Sequence, residues 1–203
     1  MQLYITPTSP FARMPRIIII EKGLEHRVEI IPAKTRMANS PYYAINPSGR
    51  VPYLVRDDAT ALEDSALICA WLDHLDGRPG FDLPPGPSSW EGRRLEALAR
   101  SMLDGLAVWG REIARPKGER SPTVLQHEAN RSVRLADLWE AQIDNPWMRG
   151  DFNMAQLTLA CALGFEPRVP DLRWRPGHPG LCEWFERIAA RPSFSATVPV
   201  PFI

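Results

Sequence analysis

The chain has 203 residues, enough for one large domain or two small ones, and its hydrophobic fraction of 44% is ordinary for a protein with a packed core. Its 24 Lys and Arg residues balance 24 Asp and Glu residues, so it lacks the basic excess expected of a nucleic-acid-binding protein, and zero net charge permits self-association. The 3 cysteines are far apart and form no C-x-x-C pair, which argues against a disulfide framework, a zinc site and a dithiol centre.

The chain begins with a strand pattern and then a helix pattern. Gln2–Ile5 is a short apolar run that ends before a proline, which is typical of a buried strand. Thr8-Ser9-Pro10 resembles a helix start, and Gly23 is typical of a helix end. Four isoleucines at 17–20 have strand propensity, but their charged flanks and Gly23 favour a helix. Because Pro15 lies inside it, either the regular helix begins later or its first turn is kinked.

The patterns that follow complete a β-α-β-α-β-β-α order. In chain order we predict a strand at 26–31, a mixed loop and short helix at 32–44, strands at 53–56 and 59–62, and a helix at 66–72. The last helix is preceded by Glu63-Asp64-Ser65. Acidic and hydroxyl residues at this position cap exposed N–H groups and suit the helix dipole.

The stretch 46–54, N-P-S-G-R-V-P-Y-L, leads a restricted turn into an apolar strand. Pro52 is unusual at the mouth of a strand, because proline cannot donate to the ladder. A cis peptide bond after Val51 would accommodate it and would turn the Val51 N–H and C=O outward, where they could pair with a peptide ligand. The alternative, which the residues alone favour, is an ordinary trans proline that closes a loop.

A proline-rich stretch at 78–89 indicates a linker, and the composition changes after it. Apolar residues then recur three or four positions apart, which is the helix period. We predict helices at 90–114, 124–143, 153–163 and 179–190. The third is nearly all apolar and should lie in the middle of a bundle. Asn153 and Gln156 predict a variant capping box at its start.

Three motifs, in this order and with this architecture, resemble the soluble glutathione S-transferase family across essentially the whole chain. They are T-S-P-F-A-R at 8–13, N-P-S-G-R-V-P-Y-L at 46–54 and E-D-S-A-L-I at 63–68. The chain is most similar to bacterial members of the serine/threonine type. The resemblance implies a thioredoxin-like α/β domain at 1–77, a linker at 78–89, an all-α helical bundle at 90–203, a homodimer, and glutathione bound mainly by the first domain.

A member of this family must stabilise the glutathione thiolate, because the thiolate is the nucleophile and a free cysteine thiol has a pKa of about 8.5. A helix N-terminus and one hydroxyl donor can do so. The resemblance assigns this donor to Ser9, with Thr8 or neither as alternatives, and Ser9 could instead only cap the helix. Phe11 is expected to wall the thiol pocket, although an aromatic residue here also suits a core. Thr8 is also a candidate for the co-substrate pocket.

The other glutathione contacts are implied by the resemblance. It reverses the preference at Pro52 to a cis bond, with the Val51 backbone paired to the cysteinyl unit. Asp64 would face the γ-glutamyl ammonium, and Ser65 would hold the glutamyl carboxylate at a helix start. The alternative for Asp64 and Ser65 is helix capping alone.

The remaining candidates are mostly cations. Lys34 and Arg50 could reach the glycyl carboxylate of glutathione or be solvated surface charges. The family places the second substrate near the helices that follow the linker, where Trp109, Arg111 and Arg115 are candidates. Apolar residues at helical spacing are more often core. Arg111 and Arg115 are four residues apart on one helix face, a pattern that is typical either of a site for an anionic or polar co-substrate or of ordinary surface arginines.

The expected activity is conjugation of glutathione to an electrophile, a detoxification chemistry that uses glutathione as co-substrate and no metal. One alternative is glutathione-dependent peroxide reduction, and another is a glutathione-binding or interaction protein with little turnover. No cysteine lies at 8–13, which disfavours the thiol-transferase and reductase branches of the family.

The N-terminus and the apolar runs indicate the expected location. No cationic segment precedes a long apolar one, so we expect no secretory signal. No apolar run approaches the ~20 residues of a membrane span. We therefore expect a cytoplasmic protein without membrane association.

Overall fold

The computed structural model describes residues 1–199 and divides into two compact units, Met1–Asp82 and a second unit that begins at Leu83. The first unit contains a mixed sheet with helices, and every regular element of residues 83–199 is helical, as predicted. The boundary between the units falls inside the proline-rich stretch at 78–89. Within the described residues, no helix is both long and apolar enough to cross a bilayer.

The first unit is organised around a 4-stranded sheet of order β2-β1-β3-β4. Its strands are β1 (Gln2–Ile5), β2 (Glu29–Pro32), β3 (Tyr53–Val55) and β4 (Ala61–Glu63). β1 runs parallel to β2 and antiparallel to β3, which runs antiparallel to β4. Leu3 pairs with Leu54 at the centre of the sheet, and both side chains are fully buried. The core of this unit therefore begins at that pair.

Two helices and a 3-10 turn connect these strands. Helix α1 (Pro10–Glu21) makes the crossover that the parallel pair β1 and β2 requires, and α2 (Ser65–His74) follows β4. The short helix predicted within 32–44 is a 3-10 turn at Pro41–Ala44. The predicted start of the second strand at residue 26 is wrong, because the Arg27 N–H donates to the Leu24 C=O in a turn and β2 begins only at Glu29.

Burial explains why the run of isoleucines is helical. Ile17, Ile18 and Ile19 are at most 3% exposed, so packing outweighs their strand propensity. α1 begins at Pro10, and the buried Pro15 lies within it rather than delaying it. Gly23 ends the helix with φ 62°, a conformation that glycine adopts without steric cost.

The second unit is built from helices. They are α3 (Trp90–Ile113), α4 (Pro122–Gln142), α5 (Pro146–Arg149), α6 (Met154–Leu163), α7 (Pro179–Ala189) and α8 (Pro192–Ser195). Every residue of α6 is buried, and α3 packs against both α6 and α4, which confirms the predicted central helix. The short helices α5 and α8 were not predicted, because each has only 4 residues and no periodic pattern.

The capping box predicted at α6 is only half formed. Asn153 Oδ1 accepts hydrogen bonds from the N–H groups of Ala155 and Gln156, at 3.0 and 3.3 Å. The Gln156 side chain does not return the bond to the Asn153 N–H. Its Nε2 instead donates to the carbonyls of Trp147, Gly150 and Asp151. Gln156 therefore fastens the loop before α6, and the reciprocal half of the prediction is wrong.

Candidate functional site

The strand register gathers three predicted site segments at one edge of the sheet. Tyr4, near the end of β1, pairs with Tyr53 at the start of β3, which pairs with Glu63 at the end of β4. The segments that hold Ser9, Val51 and Asp64 follow or precede these strand ends directly. The sheet therefore brings them to one side of the first unit.

Ser9 caps the first helix. It has φ −80° and ψ 119°, and its Oγ accepts a hydrogen bond from the Ala12 N–H at 3.2 Å. Its backbone is also held, because its N–H donates to the Thr6 C=O and its C=O accepts from the Arg13 N–H. The cap uses only a lone pair of the hydroxyl, so the Oγ–H proton can still be donated. Capping and thiolate donation are therefore compatible roles for Ser9.

Thr8 and Phe11 flank this cap, and both side chains are half-buried. Within residues 1–199, the Thr8 hydroxyl and the Phe11 N–H form no hydrogen bond. The Phe11 N–H is one of the first-turn donors that a helix leaves without an internal partner. Such donors and the helix dipole favour an anion at this position.

The turn before β3 leaves both backbone polar groups of one residue, Val51, without a partner in residues 1–199. The Val51–Pro52 bond is cis, which confirms the form that the family resemblance implied. Pro52 is buried and Val51 is half-buried. Among the described residues, nothing is hydrogen-bonded to the Val51 N–H or C=O. An extended peptide could pair with these two groups as an added strand.

Asp64 caps α2 from a strained backbone conformation. Its φ is 79°, which is uncommon outside glycine, and its Oδ1 accepts a hydrogen bond from the Ala66 N–H at 2.7 Å. Its Oδ2 forms no bond to residues 1–199, and the side chain is exposed. Strain of this kind persists where the surrounding structure holds it, often at binding sites. Ser65, the first residue of α2, is 3% exposed.

A side-chain hydrogen bond joins two of these segments. Ser48 Oγ donates to Glu63 Oε1 at 2.7 Å, and Glu63 directly precedes Asp64. The turn that leads to Val51 is therefore tied to the start of α2. The exposed side chains of Lys34 and Arg50 form no ion pair with any residue of 1–199, so both cations are available to an anionic ligand.

The candidates in the second unit differ from one another. Trp109 is 4% exposed, so it belongs to the core, the alternative that its helical spacing allowed, and not to an open pocket. Arg115 is exposed, but its Nε donates to the Glu119 C=O at 3.0 Å and it pairs with the carboxylates of Glu112 and Glu119. Arg111 is exposed on α3.

Two other features lie outside this site. A cavity of about 530 Å³ opens at the opposite edge of the sheet, where Gln2 and Val55 contribute to its wall. Ligand pockets typically have volumes of about 300–1,000 Å³. Here the strand register separates that cavity from Ser9, Val51 and Asp64. In the part of the chain that the structure describes, no cluster of His, Cys, Asp and Glu could hold a metal ion.

Gly49 is required at its position for two separate reasons. Its φ is 67°, and a Cβ atom there would lie 2.7 Å from Tyr43 Cε1. Gly23 has a similar φ of 62° but no atom within 4 Å of the same position. Gly49 thus combines a backbone requirement with a close approach, and Gly23 has the backbone requirement alone.

We expect Gly49→Ala to lower the free energy of unfolding by about 2–4 kcal/mol and Gly23→Ala by about 1–2 kcal/mol. The left-handed backbone accounts for the shared part, and displacement of the Tyr43 ring accounts for the difference. Urea unfolding of both variants measures this. Equal losses would contradict a close contact between Gly49 and Tyr43.

Sequence reasoning missed two residues beside this site. Tyr42 and Asn46 are 3% and 1% exposed, and both side chains reach the carbonyl of Arg50. Asn46 was noticed only as the first residue of the turn motif. The available signal was their spacing of four residues, because the Asn46 N–H donates to the Tyr42 C=O at 2.9 Å in a single turn with α-helical hydrogen bonding.

Known proteins resemble this chain in sequence and in fold. Residues 8–75 match the model of the glutathione S-transferase N-terminal domain. The GST-like protein YibF of Escherichia coli, which is uncharacterised, is 31% identical over 204 residues, covering 98% of each chain.

Solved structures extend the likeness to the whole fold. A glutathione transferase family member from Pseudomonas fluorescens, with bound glutathione, has a TM-score of 0.85 at 30% identity, covering 98% of each chain. The same bacterium's protein with bound S-(propanoic acid)-glutathione has a TM-score of 0.84 at 31% identity, covering 98% of this chain and all of the other. The fold is therefore a thioredoxin-like unit followed by a helical unit, and the chain belongs to the glutathione S-transferase family.

Proposed function

We propose that this chain is a serine-type glutathione S-transferase, in which the Ser9 hydroxyl stabilises the glutathione thiolate for attack on an electrophile. The observation that carries the proposal is the geometry at the start of α1. There, Ser9 Oγ accepts the cap bond from the Ala12 N–H and keeps a proton to donate. The unpaired Phe11 N–H lies in the same helix turn.

The rest of glutathione binds along the same edge of the sheet in this proposal. The free N–H and C=O of Val51 pair with the cysteinyl backbone, beside Pro52. The exposed carboxylate of Asp64 receives the γ-glutamyl ammonium, and the start of α2 at Ser65 receives the glutamyl carboxylate. The unpaired cations Lys34 and Arg50 face the glycyl carboxylate, and Phe11 lines the thiol pocket.

The chemistry needs only a stabilised thiolate. The thiol loses its proton to solvent, its sulfur attacks the electrophilic carbon, and a C–S bond forms as the leaving group departs with the bonding electrons. Lowering the thiol pKa by about 2 units requires about 2.7 kcal/mol of preferential stabilisation of the thiolate. One hydroxyl donor and a helix dipole can together supply this. The Pseudomonas fluorescens relative binds a glutathione substituted with propanoic acid at sulfur, which is the class of product expected here.

Binding and turnover assays test this proposal. We expect the protein to be retained on immobilised glutathione, to be released by free glutathione, and to conjugate glutathione to an activated aryl halide or an epoxide. Failure to bind would reject the assignment. Binding without turnover would favour the non-catalytic alternative, and turnover with hydroperoxides alone would favour the peroxidase.

The proposal includes the organisation of the protein. The glutathione-binding domain spans 1–77, the linker 78–89 and the helical domain 90–203, and two copies form a homodimer in the cytoplasm. Light scattering coupled to size-exclusion chromatography tests the homodimer, with twice the chain mass of 22.9 kDa as the expected result.

A further inference from the structure

Two buried side chains meet at one carbonyl oxygen, that of Arg50. The Tyr42 hydroxyl donates to it at 2.5 Å, and Asn46 Nδ2 donates to it at 3.0 Å. Asn46 Nδ2 also approaches Tyr42 Oη at 3.4 Å. Because both side chains are almost completely buried, water does not compete effectively for these bonds.

The same turn holds the other side of the Arg50 residue. The Arg50 N–H donates to Ser48 Oγ at 3.2 Å, and the Ser48 N–H donates to Asn46 Oδ1 at 3.0 Å. Asn46 thus accepts at one end of its amide and donates at the other. Both backbone polar groups of Arg50 are fixed within the turn, whereas those of the next residue, Val51, are unpaired in residues 1–199.

The backbone groups of Arg50 are therefore held by the protein itself, whereas those of Val51 are open to a ligand. The Arg50 C=O belongs to the peptide unit that contains the Val51 N–H, so fixing the carbonyl fixes the direction of that N–H. A backbone group already held in its bound orientation does not have to be ordered when a ligand arrives, which favours affinity.

We infer that Tyr42 and Asn46 are positioning residues for glutathione, which hold the Arg50–Val51 peptide unit in the orientation that the cysteinyl backbone requires. The inference rests on the proposed function, since it assumes that glutathione pairs with Val51. Burial raises the pKa of the Tyr42 hydroxyl, and the bond from Asn46 opposes this effect only in part. Tyr42 therefore keeps the proton that it donates at neutral and mildly alkaline pH.

A pair of neighbouring tyrosines provides the test. Tyr42→Phe removes the donor to the Arg50 carbonyl and keeps the ring. Tyr43→Phe is the matched control, because the Tyr43 hydroxyl forms no hydrogen bond to residues 1–199. We expect Tyr42→Phe to raise the Kd for glutathione in calorimetry, and the KM for glutathione, by about 3- to 10-fold, with kcat nearly unchanged. Tyr43→Phe should leave all three values at those of the wild type.

A second variant tests the same support by another route. Asn46→Asp keeps an oxygen to accept from the Ser48 N–H but removes the donor to the Arg50 carbonyl. We expect a loss of glutathione affinity of more than about 10-fold at pH 8, because a carboxylate would face a carbonyl oxygen. Protonation of the aspartate at lower pH restores a donor, so the ratio of variant to wild-type Kd should fall as the pH decreases.

The possible outcomes are distinct. A wild-type protein that does not bind glutathione overturns the proposed function and this inference together. A wild-type protein that binds, with an unchanged Kd in Tyr42→Phe, overturns the inference alone. Equal losses in Tyr42→Phe and Tyr43→Phe also overturn it, because they indicate a general disturbance of the turn. Circular dichroism verifies that each variant is folded. If Tyr42→Phe does not fold, the glutathione Kd of Asn46→Asp and its pH dependence decide whether the inference stands.

Discussion

Replacing Ser9 with alanine is expected to lower kcat for glutathione conjugation by about 10²-fold, the usual effect of removing one donor to a developing or stabilised anion. The pKa of the bound thiol should rise toward the value of a free thiol, because only the helix N-terminus then favours the thiolate. The variant's kcat should therefore increase with pH across the neutral range in which the wild-type kcat is nearly constant. Stopped-flow or steady-state kinetics over this pH range measure both effects.

The chain contains a matched control for the loss of the helix cap. Ser121-Pro122 begins α4 as Ser9-Pro10 begins α1, and Ser121 Oγ accepts from the Val124 N–H at 3.3 Å. Ser121→Ala should cost about 1 kcal/mol of unfolding free energy, as Ser9→Ala should, but should leave kcat unchanged. Ser9→Thr, which keeps a hydroxyl, should recover part of the rate. An unchanged rate in Ser9→Ala would reject Ser9 and favour Thr8 or a backbone N–H as the donor.

Local patterns were sufficient to predict most of the fold. Apolar runs and alternation predicted the order of strands and helices along the first unit, and Gly23 with its charged neighbours favoured a helix for four consecutive isoleucines. The errors occurred where distant contacts decide. The strand predicted from residue 26 begins only at Glu29, because the Arg27 N–H bonds back to Leu24 in a turn. The Gln156 side chain donates to the preceding loop instead of completing the expected capping box, and nothing in the sequence of α6 indicates this.

The candidate site divides in the same way. Ser9, Val51 and Asp64 stand in short motifs that the sequence displays, whereas the strand register that brings these motifs to one side of the sheet was not predicted. Asp73 has no local signal of this kind. Its partners are backbone N–H groups at 80–82 and Lys22, which directly follows α1, and a sequence contains no pattern for such a group.

Asp73 has the most deeply buried carboxylate of residues 1–82. Its side chain is fully buried at the end of α2, and it accepts hydrogen bonds from the N–H groups of Gly80, Phe81 and Asp82 at 2.8–3.1 Å. Lys22 Nζ lies 3.3 Å from it and also donates to the Arg78 C=O at 2.7 Å. The carboxylate thus holds the end of the first unit against α1 and α2.

These donors keep Asp73 ionised. Burial acts to raise its pKa, but the three backbone N–H groups and Lys22 more than offset burial, so the pKa lies below its ordinary value of 3.8. A carboxylate with a lowered pKa in the folded state stabilises the protein above its unfolded pKa. That contribution is lost as the pH falls through the folded pKa, because the unfolded state binds the proton at a higher pH than the folded state does. The stabilisation from Asp73 is therefore complete at neutral pH and declines only below about pH 4.

Asp73→Asn should lower the free energy of unfolding at pH 7 by about 3–5 kcal/mol, since it removes the charge from a buried pair and turns amide hydrogens toward backbone donors. The difference from the wild type should narrow as the pH falls below about 4, where the wild-type carboxylate also loses its charge. Urea unfolding at several pH values measures both, and hydrogen exchange should rise at the amides of 80–82. Asp76→Asn is the control, because Asp76 binds the same lysine at 2.9 Å but is 44% exposed, so its loss should destabilise the protein far less than the loss of Asp73. Similar losses in the two variants, or a difference that does not narrow in acid, would show that the buried carboxylate is not what fastens this segment.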